Sequence, residues 1–411
     1  MISALTRVFG PHNLSLAEDV VQDALMQALR QWPLSGIPNN PAGWLYQVAK
    51  NKAIDVVRRE KARDRATADS DEHLRVVEPL IAELFLDEEI KDDTLRMMFT
   101  CCHPELPLEA QIALTLKILG GFSGPEIARA LLTNEATIQK RLYRAKQRIR
   151  DAQVAFEVPA GAELATRVEA VLAVLYLMFN EGYKTTLDER PIRRDLCLEA
   201  MRLCKLLTEH PAGQHPAAFA LMALMCLHAA RFEARVDASG QVLMLSAQDR
   251  TRWDRQLIGE GFRLLDRSAA GEEVHPVQLE AAIAAFHCMA KRYEETDWAR
   301  IVMLYDALLA MKPSPVVALN RAIALAEVSG PQAALDALVS IPDKAALDSY
   351  PFYPAALGEM HMRLGQCTLA AAYFERAMTL TSSPAEQRFL AHKLQVCRGP
   401  ELVRQPERSS Q

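Results

Sequence analysis

No apolar run in the 411-residue sequence is expected to cross a membrane. Its most apolar stretches, VLAVLYLMF (171–179) and AAFALMALMCLHAA (217–230), fall short of the roughly 20 residues a span requires. The N-terminus also lacks the basic, apolar and small-residue zones of a signal peptide, so a cytoplasmic protein without membrane contact is expected. No stretch sustains a period-two alternation of β-branched residues, which argues against a β-rich fold and predicts all-α. There is no glycine-rich phosphate loop and no nucleophile elbow, so neither an enzyme nor a bound cofactor is expected. The eight cysteines are scattered through apolar helical patterns, as suits free thiols rather than a disulfide framework. Cys101, Cys102 and His103 are adjacent on one helix end and cannot all face one ion; no metal is expected there. Cys226 with His228, and His287 with Cys288, read as core residues.

With half of its residues apolar, the chain is long enough for two or three domains. Punctuation divides it into 1–65, a polar linker at 66–90, a cluster of short helices at 91–153, a long helical block at 160–395 and a flexible tail at 396–411. Within the long block, Pro315 and Pro384, and Gly330 and Gly365, repeat at close to two and one periods of the roughly 34-residue tetratricopeptide (TPR) unit. The C-terminal part is therefore expected to be a TPR-like array.

The net charge is -5, and neither half of the chain is basic, so any nucleic-acid footprint must be local. One such footprint is TIQKRLYRAKQRIR (137–150). On a helix, Ile138, Leu142, Ala145 and Ile149 form an apolar stripe, leaving Lys140, Arg141, Arg144 and Arg148 on the other side with Thr137 and Gln139. Upstream, Pro125 suits a helix start, Ile127, Ala128 and Leu131 pack inward, and Leu132–Asn134 make a tight turn. Together they spell a helix-turn-helix with 135–151 in the recognition position. A solvated basic face is the alternative reading.

The first block has a second local excess. GWLYQVAKNKAIDVVRREKARDR (43–65) follows Asn40 as a cap and Pro41 at the first helical position. Lys52, Arg58 and Arg59 give it a basic end, and Trp44 and Tyr46 lie near its start, where aromatics can stack unpaired bases. Core anchoring is the alternative for Trp44. In the preceding helix, Ala17, Val20, Val21, Ala24, Leu25, Ala28 and Leu29 are expected to be buried. That leaves Glu18, Asp19, Gln22 and Asp23 as an exposed acidic face suited to a basic protein partner.

The series AEDVVQDAL, GWLYQVAKNKAIDVVRR and GFSGPEIARALLTNEATIQKRLYRAKQRI resembles, in order and spacing, regions 2 and 4 of bacterial extracytoplasmic-function (ECF) sigma factors. AELATRVEAVLAVLYLMFNEGY, QDRTRWDRQLI, TDWARIVMLYDALL and SPVVALNRAIALAE are similar to the ECF group with a long C-terminal TPR-like extension. The resemblance implies that Asp19, Gln22 and Asp23 dock on core RNA polymerase. It also implies that Asn39, Asn40 and Trp44 capture unstacked bases of the minus-10 promoter element, with Lys52, Arg58 and Arg59 on phosphates. At the minus-35 element, Gln139, Lys140, Arg141 and Arg144 would read bases beside Thr137, with Arg148 on phosphate. Family members carry more residues ahead of the acidic helix, so the first helix of region 2 is expected to be clipped.

The function expected is promoter selection for core RNA polymerase, with the extension regulating in cis or holding an unknown protein or small molecule. An ordinary helix-turn-helix regulator with a TPR-like scaffold, acting without polymerase, is the alternative, and a pure interaction scaffold is a third. Asn180, Glu181, Gly182 and Tyr183 with Asp249 and Arg250 read as a buried polar network, a small-molecule pocket being the other possibility.

Overall fold

The computed structural model describes residues 1–63, 87–131, 133–183, 193–237, 243–271, 273–342, 347–381 and 383–399. The expected linker at 66–90 lies almost wholly outside them, as does most of the tail. Among the described residues the fold is all-α, with no β-strand.

Two compact units divide the chain: Met1–Met178 with Leu206–Gly213, and Phe179–Lys205 with the chain from Gln214 on. The division falls later than the sequence break at 153–160. Arg167 supplies the reason: it is 6% exposed and donates to the Phe99 carbonyl at 2.7 Å, tying the start of the long block into the first unit.

In the first unit, α1 (Ile2–Phe9), α2 (Leu14–Ser35) and α3 (Pro41–Arg63) form one bundle. The helix expected to be clipped is present as the eight-residue α1. The bundle's core is built largely of small side chains, Ala4, Ala17, Ala24, Ala49 and Ala53, around Leu5, Phe9 and Val20. Alanine at these positions lets the helices approach closely while Leu5 and Phe9 fill the remaining volume. The helices α4 (Asp87–Cys101), α5 (Leu108–Ile118), α6 (Gly124–Ala130) and α7 (Glu135–Asp151) follow. Helix α5 is buried over nearly its whole surface, and it forms the centre on which α7 packs. Cys101 and Cys102 are buried; Cys102 Sγ lies 3.7 Å from Thr115 Oγ1, and burial pushes its thiol pKa up to about 12. A thiol so protonated packs as a small apolar group.

Helix α8 (Ala162–Tyr183) and α9 (Arg194–Glu209) each contribute to both units. The second unit continues through α10 (Pro216–Ala229), α11 (Arg255–Ser268), α12 (Pro276–Met289), α13 (Trp298–Met311), α14 (Pro315–Val339), α15 (Phe352–Arg363), α16 (Cys367–Leu380) and α17 (Pro384–Arg398). Helix α10 is its apolar centre, and α11 and α12 pack against it. By length and composition alone, 216–234 and 315–339 could cross a membrane, but the first is 83% buried inside the protein. The second is broken at Gly330, whose φ of 83° only glycine adopts without strain. Gly365, φ 75°, stands at the turn between α15 and α16.

Candidate nucleic-acid interface

The recognition helix α7 is fixed at its start by Asn134. The Asn134 Oδ1 accepts from the Thr137 backbone N–H at 2.8 Å and from the Thr137 hydroxyl at 2.9 Å. Thr137 is thus engaged with the cap, and the residue expected to end a turn is the N-cap itself. Upstream, Ser123 and Glu126 form a reciprocal capping box at the head of α6: the Ser123 N–H donates to Glu126 Oε2 at 2.7 Å and the Glu126 N–H to Ser123 Oγ at 3.4 Å. The stripe Ile138, Leu142, Ala145 and Ile149 is buried as its spacing demands.

The opposite face of α7 is open. Gln139, Lys140, Arg144 and Arg148 are exposed, and Arg141 is half-buried. Two of its cations are held by acids of neighbouring loops and helices. Arg141 pairs with Glu109 at 2.5 Å and Arg148 with Glu105 at 3.1 Å. Lys140 and Arg144 make no ion pair among the described residues, leaving two cations and an amide directed to solvent on one helical face.

At the start of α3, the Asn40 Oδ1 accepts from the Gly43 N–H at 2.8 Å. Gly43 permits that turn, since a Cβ there would lie 2.7 Å from the Asn40 side chain. Asn39 and Asn40 are exposed, and Trp44 is half-buried one turn later. Trp44 meets Trp32 of α2 edge to face, with ring centroids 5.5 Å apart. Lys52, further along α3, pairs with Asp23 of α2 at 3.1 Å. Arg58 and Arg59 lie on α3, but their side chains are outside the described residues.

Helix α2 differs from the sequence expectation in two ways. Asp19, Gln22 and Asp23 are exposed, but Glu18 is only 8% exposed, because it pairs with Lys146 of α7. Conversely, Leu25 is 45% and Leu29 68% exposed, and Met26 accompanies them at 48%. Ala17 and Ala24 lie in the core shared with α1 and α3 and Ala28 is buried on the same side of α2, so the larger residues one position away are turned outward. Gln22, Leu25, Met26 and Leu29 therefore form an exposed stripe at helical spacing, in which Leu25 and Leu29 depart from the burial expected of them. Glu18, Asp19 and Gln22 face Gln139, Tyr143 and Lys146 across a cavity of about 390 Å³.

The comparisons with known proteins fall on these same segments. Residues 2–63 match the family described as Sigma-70 region 2, and residues 96–149 match Sigma-70, region 4. The bundle carrying the Trp44 turn and the helix-turn-helix are thus the two promoter-associated regions, in order. The chain belongs to the ECF-type sigma factors. Residues 167–269 of this sigma factor match a family of unknown function, DUF6596. An uncharacterized protein of Rhizobium meliloti (strain 1021) is 39% identical over 96% of this chain and 92% of its own length. The ECF RNA polymerase sigma factor SigM of Bacillus subtilis (strain 168) is 28% identical over 33% of this chain and 78% of its own. The corresponding figures for the ECF RNA polymerase sigma factor SigE of Mycolicibacterium smegmatis are 26%, 33% and 51%. No solved structure matches.

Proposed function

We propose that this sigma factor is a promoter-specificity subunit that works by binding rather than by catalysis, in the cytoplasm, and that its helical extension at 160–395 regulates it in cis. Asp19, Gln22 and Asp23, flanked by the apolar Leu25, Met26 and Leu29, dock on core RNA polymerase. Asn39, Asn40 and Trp44 take unstacked minus-10 bases, and Lys52, Arg58 and Arg59 hold the adjoining phosphates. Gln139, Lys140, Arg141 and Arg144 read minus-35 base edges beside Thr137, and Arg148 holds a phosphate.

The observation that carries this reading is α2. A stripe of Gln22, Leu25, Met26 and Leu29 left open to solvent beside Asp19 and Asp23 is costly on a monomer and useful only with a protein partner. A regulator that acts on duplex operators alone has no use for it. Co-purification with bacterial core RNA polymerase, followed by initiation from a cognate promoter in a defined transcription reaction, tests the reading. Tight operator binding without polymerase, and no initiation with it, would favour the helix-turn-helix regulator instead.

A further inference from the structure

The last two helices pack as an antiparallel hairpin, α16 running out from Cys367 to Leu380 and α17 back from Pro384 to Arg398. Cys367 stands thirteen residues before the end of α16, and Cys397 thirteen residues after the start of α17. At 1.5 Å per residue both lie about 20 Å from the turn, side by side at the open end of the hairpin. The packing agrees with that register. Ala370, Phe374 and Ala377 of α16 and Leu390 of α17 make the buried seam, and Cys397 packs against it. Cys367 precedes Ala370 by three positions and Phe374 by seven, and Cys397 follows Leu390 by seven, so each thiol continues the inward stripe of its own helix.

The other cysteines are sealed. Cys101, Cys102, Cys197, Cys204, Cys226 and Cys288 are buried, whereas Cys367 is exposed and Cys397 half-buried. Cys204 and Cys226 also lie within each other's electrostatic reach, but burial pushes the Cys226 thiol up to about 12, so that pair is neither reached by solutes nor ionised. The Cys397 thiol is raised too, by burial first and then by the neighbouring Cys367 thiol. Cys367 is therefore the sulfur that a solute meets first, with Cys397 held behind it.

We propose that Cys367 and Cys397 are a reversible oxidation site, which closes into a disulfide when the protein meets hydrogen peroxide. The proposal depends on none of the promoter or polymerase assignments. Cys367, as its thiolate, attacks one peroxide oxygen: the S–O bond forms, the O–O bond breaks, and the departing hydroxide takes a proton from solvent to become water. The Cys397 sulfur then attacks the sulfenic acid at Cys367. The S–S bond forms, the S–O bond breaks, and the hydroxyl leaves with the Cys397 proton as a second water. The two sulfurs have lost two electrons and the peroxide has gained them. Exchange with a small dithiol returns both electrons and reopens the pair. While it lasts, the bond ties the start of α16 to the end of α17, and the hairpin cannot splay at its open end.

The test uses the full chain, reduced and desalted, with hydrogen peroxide as the oxidant. After a brief exposure the chain is unfolded in N-ethylmaleimide, weighed intact and digested. Six of its eight thiols should be alkylated, the peptides carrying Cys367 and Cys397 should be joined, and dithiothreitol added before alkylation should restore all eight. Cys397→Ser should halt at a sulfenic acid on Cys367 that dimedone captures, while Cys367→Ser should keep its seven remaining thiols. The oxidised wild-type chain should melt later than the reduced one, a shift that neither serine variant shows. Eight free thiols after peroxide, a bond from Cys367 to a second molecule, or loss of the six buried thiols instead would overturn the oxidation site. Joined peptides with unchanged melting would overturn the tie on the hairpin. If a serine variant does not fold, the peptide linkage in the wild-type chain decides alone.

Discussion

Trp32 and Trp44 meet with ring centroids 5.5 Å apart and planes inclined by 62°. The end of α2 thereby braces the first turn of α3, leaving Trp44 half-buried next to the exposed Asn39 and Asn40. A ring held on one side and open on the other can accept an unstacked base without further ordering cost. Trp44→Ala should weaken polymerase-bound chain on a single-stranded minus-10 oligonucleotide by about 1–3 kcal/mol, the usual loss of one stacking partner. Binding to minus-35 duplex should be unchanged. Equal loss on both probes would make Trp44 a structural brace alone.

The cations of α7 should separate by the company they keep. Arg144 is exposed and makes no ion pair among the described residues, so Arg144→Ala should cost about 1–3 kcal/mol and relax preference at one minus-35 position. Arg148→Ala should weaken all sequences alike. Arg141 is already engaged by Glu109, so Glu109→Gln should tighten binding by freeing it. Competition assays with single-base promoter variants distinguish these outcomes, and uniform weakening from both arginine changes would mean that the helix only positions phosphate.

Helical spacing was enough to find Ile138, Leu142, Ala145 and Ile149, because the period of 3.6 residues alone decides which side chains share a face. It was not enough for Glu18. Periodicity assigns residues to faces of their own helix and says nothing of what a segment 128 positions later brings against them. Leu25 and Leu29 run against expectation for a related reason: apolar character alone suggests burial, while the buried alanines at 17, 24 and 28 mark the side of α2 on which helices meet. Asn134 was legible as a turn residue, and its three-residue spacing to Thr137 was the signal that it caps. The division of the units rests on Arg167 reaching the Phe99 carbonyl, a pairing that no local pattern contains.

Removing the Asn134 cap should loosen α7 at the end proposed to enter DNA. Asn134→Ala should cost about 1 kcal/mol and reduce minus-35 affinity, with Asn134→Asp retaining the acceptor and most of the stability. Thermal unfolding followed by helical circular dichroism checks the first, and duplex titration the second. An unchanged melting temperature in the alanine variant would mean that solvent serves the α7 N-terminus equally well.

Burial, together with the nearby Arg231 and Arg250, pushes the His287 pKa down to about 3. The ring is therefore neutral in the folded protein at any pH where the unfolded ring, titrating near 6.5, begins to take up a proton. The unfolded state binds the extra proton between these values, so stability is full above pH 6.5 and falls as pH drops toward 3. At pH 5 the loss is on the order of 2 kcal/mol from this residue. Denaturant titrations at pH 7.5 and 5 should show the decline, and His287→Asn, which carries no titrating ring, should flatten it by that amount. Identical pH slopes in the two proteins would exclude His287 as its source.

The proposed regulation in cis needs a perturbation confined to the second unit. Truncation after Ala152 does not provide one, because it also removes Arg167 and the α8 turns that complete the first unit. Arg250 does. It is 4% exposed, donates to the His287 and Ala290 carbonyls at 2.9 and 3.0 Å and to Thr296 Oγ1 at 3.1 Å, and its guanidinium lies 4.9 Å from the Trp253 ring centroid. Arg250→Ala strands the carbonyls at the end of α12 and should destabilise this unit by about 3 kcal/mol, leaving the promoter-binding helices intact. If the extension holds the regions in a productive arrangement, promoter output in a defined transcription reaction should fall while polymerase still co-purifies. If it acts as an acidic cover over the basic face of α7, output should rise and become less sensitive to salt. Output equal to that of the wild type, from a variant whose second unit demonstrably melts earlier, would exclude both forms of control.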